Sequence, residues 1–313
     1  MGYLTKKFLY CLLAFFIIVT LTFFLMKVIP GDPLLQEKAL PKEIHQALRA
    51  YYGLDQPLLT QYVRYLKETF TFNFGPSFIF QGVTVNQVIK ESFPISALLG
   101  LEALLIAIIG GLAIGIFAAS CKDPWKDRLA MSAAIIGISI PSFIVATLLQ
   151  YIFAIKLGIF PIARWGSFTH TILPALSLAS VPMAFIARLT RTQMREVLNQ
   201  EYIKTARSKG LSQPIVILKH ALRNSIIPTV NYLATLSANI LTGSFVIEKI
   251  FGIPGLGHWF VTSVLNRDYS FIMGITIFYS LILLTLVFAV DLLLQVIDPR
   301  LKFQESQKHA CTA

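Results

Sequence analysis

The chain has 313 residues, of which 55% are hydrophobic and only 14% charged, against about 25% charged in an average soluble domain. A mean hydropathy of +0.68 over this length excludes a disordered chain and argues against an ordinary soluble enzyme. The net charge of +11 excludes nothing until the basic residues have been located.

A helix needs about 20 mostly apolar residues to cross the hydrocarbon core. Stretches free of Asp, Glu, Lys and Arg occur at 8–26, 103–121, 129–155, 165–187, 224–247 and 269–290, so the sequence predicts an all-α polytopic membrane protein with six transmembrane helices. The first stretch follows Lys6 and Lys7. It is too long for the apolar region of a signal peptide, and the chain runs on through Lys27-Val28-Ile29-Pro30-Gly31-Asp32-Pro33 with no small-x-small cleavage site. It reads as a permanent first helix. Residues 30–95 carry six basic and six acidic side chains, with turns marked by Gly75-Pro76 and Gly82, and are read as a small extracytoplasmic cap.

In the second span Ala103, Ala107, Gly111, Gly115 and Ala119 recur every fourth residue. That spacing lines one helical face with small side chains, which allows a neighbouring backbone to approach where lipid gives no hydrophobic reward for association. The third stretch holds thirteen Leu, Ile, Val or Phe residues, enough to favour insertion by about 4–8 kcal/mol before polar residues are subtracted. The fourth is weaker, interrupted by Pro174 and Pro182, and is expected to depend on its neighbours. Asn231 and Asn239 on the fifth read as interhelical hydrogen-bond partners. Lys27, Glu102 and Asp291 stand at the ends of spans, where they act as anchors. Trp165 and Trp259 are expected at the outer interface and Trp125 at the inner one. Cys11, Cys121 and Cys311 are isolated and form no disulfide framework.

The basic surplus is confined to alternate segments. Residues 1–7, 122–128, 188–223 and 298–313 carry a net +10, whereas 30–95, 156–164 and 248–268 carry +2. Lys/Arg excess marks the cytoplasmic side, so both termini are expected inside, and the charge is a topology signal, with no nucleic-acid partner implied. The chain divides into an N-terminal helix at 1–29, the extracytoplasmic segment at 30–95, a membrane domain at 96–297 containing a cytoplasmic loop at 188–223, and a tail at 298–313.

That loop opens with Arg188, Arg191 and Arg195 on one helical face. A short helix is predicted next. Asn199 is read as its N-cap, Glu201 suits its first turn and Lys209 its last, and Gly210 supplies the left-handed residue beyond it. Leu198, Tyr202 and Ala206 repeat every four residues and are expected to form a docking face. A further amphipathic run, Ile217-Leu218-Lys219-His220-Ala221-Leu222, leads into the fifth span.

Catalytic signatures are missing. No Gly is followed by Lys, so there is no Walker A loop; no His-Glu-x-x-His occurs; Ser142 and Ser244 have no His/Asp pattern near them. A self-sufficient carrier or channel would need acidic or amide groups deep in the bilayer, whereas the charged residues here sit at span ends.

The string Glu201-Tyr202-Ile203-Lys204-Thr205-Ala206-Arg207-Ser208-Lys209-Gly210-Leu211, followed by His220-Ala221-Leu222-Arg223-Asn224-Ser225-Ile226-Ile227-Pro228, resembles the permease subunits of ABC importers, in particular the peptide and nickel branch. The hallmark E-A-A-x3-G-x9-I-x-L-P is matched at Ala206, Gly210 and Leu222 and departs at Lys204, Thr205, His220 and Arg223. The resemblance extends to Gly53-Leu54-Asp55-Gln56-Pro57, Leu173-Pro174-Ala175-Leu176, Glu248, Gly252-Ile253-Pro254-Gly255-Leu256-Gly257, Arg267-Asp268-Tyr269 and Asp298-Pro299-Arg300, and the early Pro-Gly-Asp-Pro is similar to the B-type oligopeptide permeases. It implies an ABC type-1 importer bundle in the cytoplasmic (inner) membrane. The implied partners are a second, C-type permease, two ATPase subunits that bind the ATP, and an extracytoplasmic substrate-binding protein. No cofactor is implied in this chain itself, which the resemblance makes a non-catalytic subunit. It further implies that Asn199, Glu201, Tyr202, Lys204, Thr205, Ala206, Gly210, Leu211, His220 and Leu222 form the ATPase-coupling segment. The implied cargo is a peptide, with nickel or dipeptide transport as the nearest alternatives and an ion-coupled carrier or channel further off.

Overall fold

The computed structural model describes residues 3–29, 46–47, 49–50, 53–80, 82–121, 123–230, 232, 236, 240 and 245–297. Among them the regular secondary structure is helical, apart from one isolated antiparallel bridge between Pro76 and Thr84, and loops join the helices. The helices are α1 (Tyr3–Val28), α2 (Leu58–Phe70), α3 (Val85–Ser120), α4 (Pro124–Ser139) and α5 (Ser142–Leu149), the last continuing as a π-helical turn, Gln150–Lys156. Then follow α6 (Thr169–Leu198), α7 (Glu201–Ser208), and α8, which is Gln213–Ile215 running through π-helical Val216–Ala221 into Leu222–Ser225. The chain ends with α9 (Phe245–Ile250), α10 (Leu256–Asn266) and α11 (Tyr269–Ile297).

Four of these, α1, α3, α6 and α11, are long and apolar enough to cross a membrane. The third stretch differs from the straight span its composition suggests. α4 and α5 are bent by 104° at Ser139–Ser142. Pro141 explains the bend: it disfavours helical backbone at the residue before it, and Ile140 accordingly lies at φ −89°, ψ 121°. Counted as one broken span, the pair makes five. Much of the fifth stretch, with Asn231 and Asn239, and the tail at 298–313 lie outside the described residues. α3 begins at Val85, well before the uncharged window at 103, because Thr84 caps it by accepting the Gln87 N–H at 3.2 Å.

The proline-interrupted α6 is the most enclosed of the long helices. α3 packs along its length, with α4 and α5 on its other flanks. The small-residue stripe on α3 makes this approach possible. Ala103 and Ala107 are buried; a Cβ on Gly111 would lie 2.7 Å from Ile186 Cβ, and one on Gly115 would lie 2.7 Å from the Ala187 carbonyl oxygen. Ala119, at the end of the stripe, is half-buried, while its neighbour Ala118 is fully enclosed. The shared core collects Leu99, Leu173, Leu178, Ile186, Leu236, Ile240 and Phe251 around these contacts. α1 stands apart and packs antiparallel to α11, with Lys7 paired to Asp291 and Phe8 against Phe288 at 5.9 Å. The first residues of α1 and the last turns of α11 therefore share one end of the molecule. Trp259 is not a free interfacial anchor: it stacks edge-on with Phe80 and leans on Phe271.

Candidate functional site

At the end of the bundle that carries the C-termini of α3 and α6, α7 lies across a small hydrophobic platform. Its sequence buries only Ile203 and Ala206, three residues apart, against Met194 of α6 and Val216 and Ala221 of α8; Ile116 and Ala119 of α3, Val197 and Leu198 of α6, and Ile217 and Leu222 of α8 complete the cluster. The helix stops because Gly210 adopts φ +78°, which a side chain disfavours. Its N–H donates to the Arg207 carbonyl at 2.9 Å, and the Leu211 N–H donates to that of Ala206 at 3.4 Å, closing the last turn.

Two expectations need correction here. Asn199 does not cap α7: it ends α6 in helical backbone (φ −90°, ψ −4°), and the extended residue before α7 is Gln200, which offers no side-chain cap. Asn199 closes the last turn of α6, so the break falls one residue later than the cap pattern suggests. The docking face is also different. Ala206 points into the molecule beside Ile203, while Tyr202 is exposed, its hydroxyl accepting the Asn224 Nδ2–H at 2.8 Å. The free face of α7 is polar, formed by Glu201, Tyr202, Lys204 and Thr205, with Lys204 reaching Glu201 at 2.7 Å. Leu211 continues it beyond the turn, while His220 and Leu222 are half-buried in α8. The apolar repeat thus marks the side that clamps α7 to its own chain.

A second constellation stands nearby that the basic pattern of α6 did not reveal. Asp127, in the first turn of α4, is almost enclosed and receives Arg191 Nε at 2.5 Å, Arg191 Nη2 at 2.6 Å and Arg195 Nη2 at 2.8 Å. Asp123 and Pro124 start α4 (Asp123 accepts the Trp125 N–H at 2.9 Å) and so place Asp127 one turn in, facing α6. Asp127→Asn is expected to cost about 1–3 kcal/mol, less than the ~3–5 of a fully buried pair because Arg195 remains partly hydrated. Thermal melting of the detergent-solubilised protein checks this, with Arg195→Gln costing less than Asp127→Asn.

The opposite end is held by two buried carboxylates. Glu248, on α9, accepts Ser96 Oγ–H at 2.8 Å and the His258 N–H at 3.1 Å, while Ser96 Oγ in turn accepts the Leu256 N–H at 2.8 Å. The Gly-Ile-Pro-Gly-Leu-Gly run wraps this group because a Cβ at Gly255 would fall 2.4 Å from Glu248 Oε2. Burial pushes the Glu248 carboxyl above the usual carboxylate range, against the downward pull of its hydrogen bonds. The native state therefore holds a proton that the unfolded chain has already released, and stability falls as pH rises from the ordinary carboxylate range through the raised value. Glu248→Gln is expected to flatten that part of the melting-temperature profile, and an unchanged slope would contradict the assignment. Asp268 plays the matching part for the 77–80 loop: it is paired with Ser77 Oγ, accepts the Phe78 N–H at 3.3 Å and caps α11 through the Phe271 N–H at 3.4 Å.

No group of three or more potential metal ligands occurs among the described residues. Comparison with known proteins then decides the family. Residues 111–303 match the model described as "Binding-protein-dependent transport system inner membrane component", and residues 1–100 match its N-terminal companion. The chain belongs to this family of transport-system permeases. Among similar members, the dipeptide transport system permease protein DppB of Bacillus subtilis is 51% identical, with 97% of this chain and 98% of that one aligned. The oligopeptide transport system permease protein OppB of Salmonella typhimurium is 42% identical over 92% and 95%. Among solved structures, the inward-facing MetNI methionine ABC transporter shares the fold, with a TM-score of 0.57 at 16% identity, over 68% of this chain and 97% of that chain. This permease is accordingly a multi-pass protein of the inner membrane.

The permease signature was legible at Gly210 and Ala206, whose positions depend on local backbone and tight packing. Asp127, Ser96 and Ser77 escaped notice because their partners lie 64 to 191 residues away in the chain. Asp127 alone left a trace, as an acid in a short basic loop at the same predicted level as three arginines.

Proposed function

We propose that this chain is the transmembrane permease of an ATP-driven importer that moves peptides, with oligopeptides as the leading cargo and dipeptides close behind. The similarity to dipeptide and oligopeptide permeases supports that cargo. The chain has six spans with both termini in the cytoplasm, divided as 1–29, 30–95, 96–297 and 298–313. The antiparallel pairing of α1 with α11 supports a common side for the two ends. It works beside a second permease, two ATPase subunits that carry the nucleotide, and an extracytoplasmic binding protein that delivers the peptide; the 30–95 segment meets the binding protein or the second permease.

One observation carries this reading. α7 is pinned on one side to the ends of α3, α6 and α8, and on the other presents an exposed polar surface away from the bundle. A push on that surface moves the membrane helices α3 and α6 together with α8, because Ile203 and Ala206 are locked among their side chains. Glu201, Tyr202, Lys204, Thr205 and Leu211 form the surface that meets the ATPase, with Asn199 at its edge. Ala206, Gly210, His220 and Leu222 hold it in shape. ATP binding and release then bias which side of the pore is open. Cysteine placed at Thr205 tests the contact: it should crosslink to an ATPase subunit in the assembled complex, and with a yield that changes between nucleotide-free and ATP-bound states. Crosslinking only to lipid, or to the binding protein, would remove the proposal.

A further inference from the structure

α2 has three distinct sides. At 100° per residue, Tyr62, Tyr65 and Thr69 share one side, and they pack onto the end of α1: Tyr62 Oη is 2.8 Å from Thr20 Oγ1, and the Phe23 ring lies 5.3 Å from both tyrosine rings. Thr60, Arg64 and Lys67 form a polar side. Between the two, Leu59, Val63, Leu66 and Phe70 fall within an arc of about 60°. Three of these four are among the most exposed apolar residues of the chain, at 72%, 58% and 63% for Leu59, Val63 and Phe70, and Leu66 is half-buried. α1 and its own chain already occupy the tyrosine side, so this stripe faces outward.

The position of α2 along α1 identifies what lies there. α1 is 26 residues, about 39 Å of helix, which exceeds the ~30 Å hydrocarbon core. α2 crosses its last two turns, from Thr20 to Lys27, where Lys27 Nζ donates to Gln61 Oε1 at 2.5 Å. That is the level at which a span leaves the hydrocarbon and enters the headgroups. The stripe is also continuous with the exposed apolar flank of α1: Phe24 is 41% exposed, its ring lies 5.5 Å from Tyr62, and Leu21, Leu25 and Val28 are exposed beside it. Lys67 stands on the adjoining polar side, where a phosphate layer would meet it, while Arg64 is paired with Glu68 at 2.8 Å.

We propose that α2 is a membrane-interface helix whose Leu59–Val63–Leu66–Phe70 stripe lies on the phospholipid bilayer, at the end of the bundle opposite α7. The helix fixes the depth and tilt of α1, and through α1 those of α11. The proposal does not depend on the cargo or on which end of the bundle faces the cytoplasm.

Spin labels test it in the assembled importer in phospholipid vesicles, on a chain whose three cysteines are replaced by alanine. Single labels at Leu59, Val63 and Phe70 should be reached by molecular oxygen, which concentrates in lipid, and shielded from a water-soluble nickel chelate. Labels at Thr60 and Lys67 should show the opposite preference. Chelate access at the first three sites would place the stripe in water, and protection from both reagents would show a protein partner covering it. Either result overturns the proposal. These side chains are exposed, so the labels leave the packing of α2 on α1 intact.

Discussion

Replacing Gly210 by proline is expected to leave the permease in the membrane while reducing peptide-stimulated ATP hydrolysis in the reconstituted complex to its unstimulated rate. The reason is local. Gly210 sits at φ +78° and donates its N–H to Arg207 at 2.9 Å, whereas proline fixes φ near −65° and has no N–H to give. Both features that end α7 are lost together, and the turn that sets the angle between α7 and α8 must rebuild. Insertion is spared because a Cβ at this position meets nothing within 4 Å and Gly210 lies outside every apolar span. Gly210→Ala separates the two causes. It keeps the N–H and pays only the left-handed strain of about 1–2 kcal/mol, so coupling should weaken without vanishing. Normal coupling in the proline variant would show that the rigidity of α7 is irrelevant to transmission.

A second substitution should act on the fold itself. Gly115→Leu drives a side chain into α6, where a Cβ alone would already lie 2.7 Å from both the Ala187 carbonyl oxygen and Thr190 Cβ. A backbone oxygen cannot rotate away, so α3 and α6 must separate along much of their shared length. Overpacking of this kind costs about 1–3 kcal/mol even where side chains yield, and the loss here should lie at or beyond the upper end. Gly111→Leu is expected to behave alike, since a Cβ there would meet Ile186 at 2.7 Å and the Met183 carbonyl oxygen at 2.8 Å. Ile114, on the exposed side of α3, provides the control: Ile114→Leu should accumulate like the parent chain. Size-exclusion profiles of a fluorescent fusion read all three, and a monodisperse Gly115→Leu protein at parent yield would contradict the packing account.

The sequence conveyed those properties that depend on residues close together along the chain. Apolar stretches long enough for lipid announced α1, α3, α6 and α11, and the four-residue spacing of Ala103, Ala107, Gly111 and Gly115 announced the face on which α3 meets α6. Gly210 was legible because a left-handed residue after an amphipathic run is a local event. Other features depend on where distant segments meet. The third span looked uniform by composition, yet Pro141 breaks it, since a count of apolar residues is blind to a single backbone constraint. α7 seemed to offer its apolar residues to a partner, but the nearby ends of α3, α6 and α8 had apolar surface of their own to cover and took Ile203 and Ala206. Glu248 and Asp268 belong to the strings that carry the family resemblance, but nothing near them in the sequence gives them a role. Their burial depends on Ser96 and Ser77, which lie far away in the sequence and which no periodicity connects to them.

The central claim is that this chain is a passive gate worked by nucleotide hydrolysis elsewhere and reached through α7. Peptide uptake into proteoliposomes measures it most directly, with the permease alone, with all partner subunits, and with all partners plus the Gly210→Pro chain. The account predicts ATP-dependent uptake only in the second preparation. Uptake by the permease alone, or undiminished uptake with the proline variant, would contradict it.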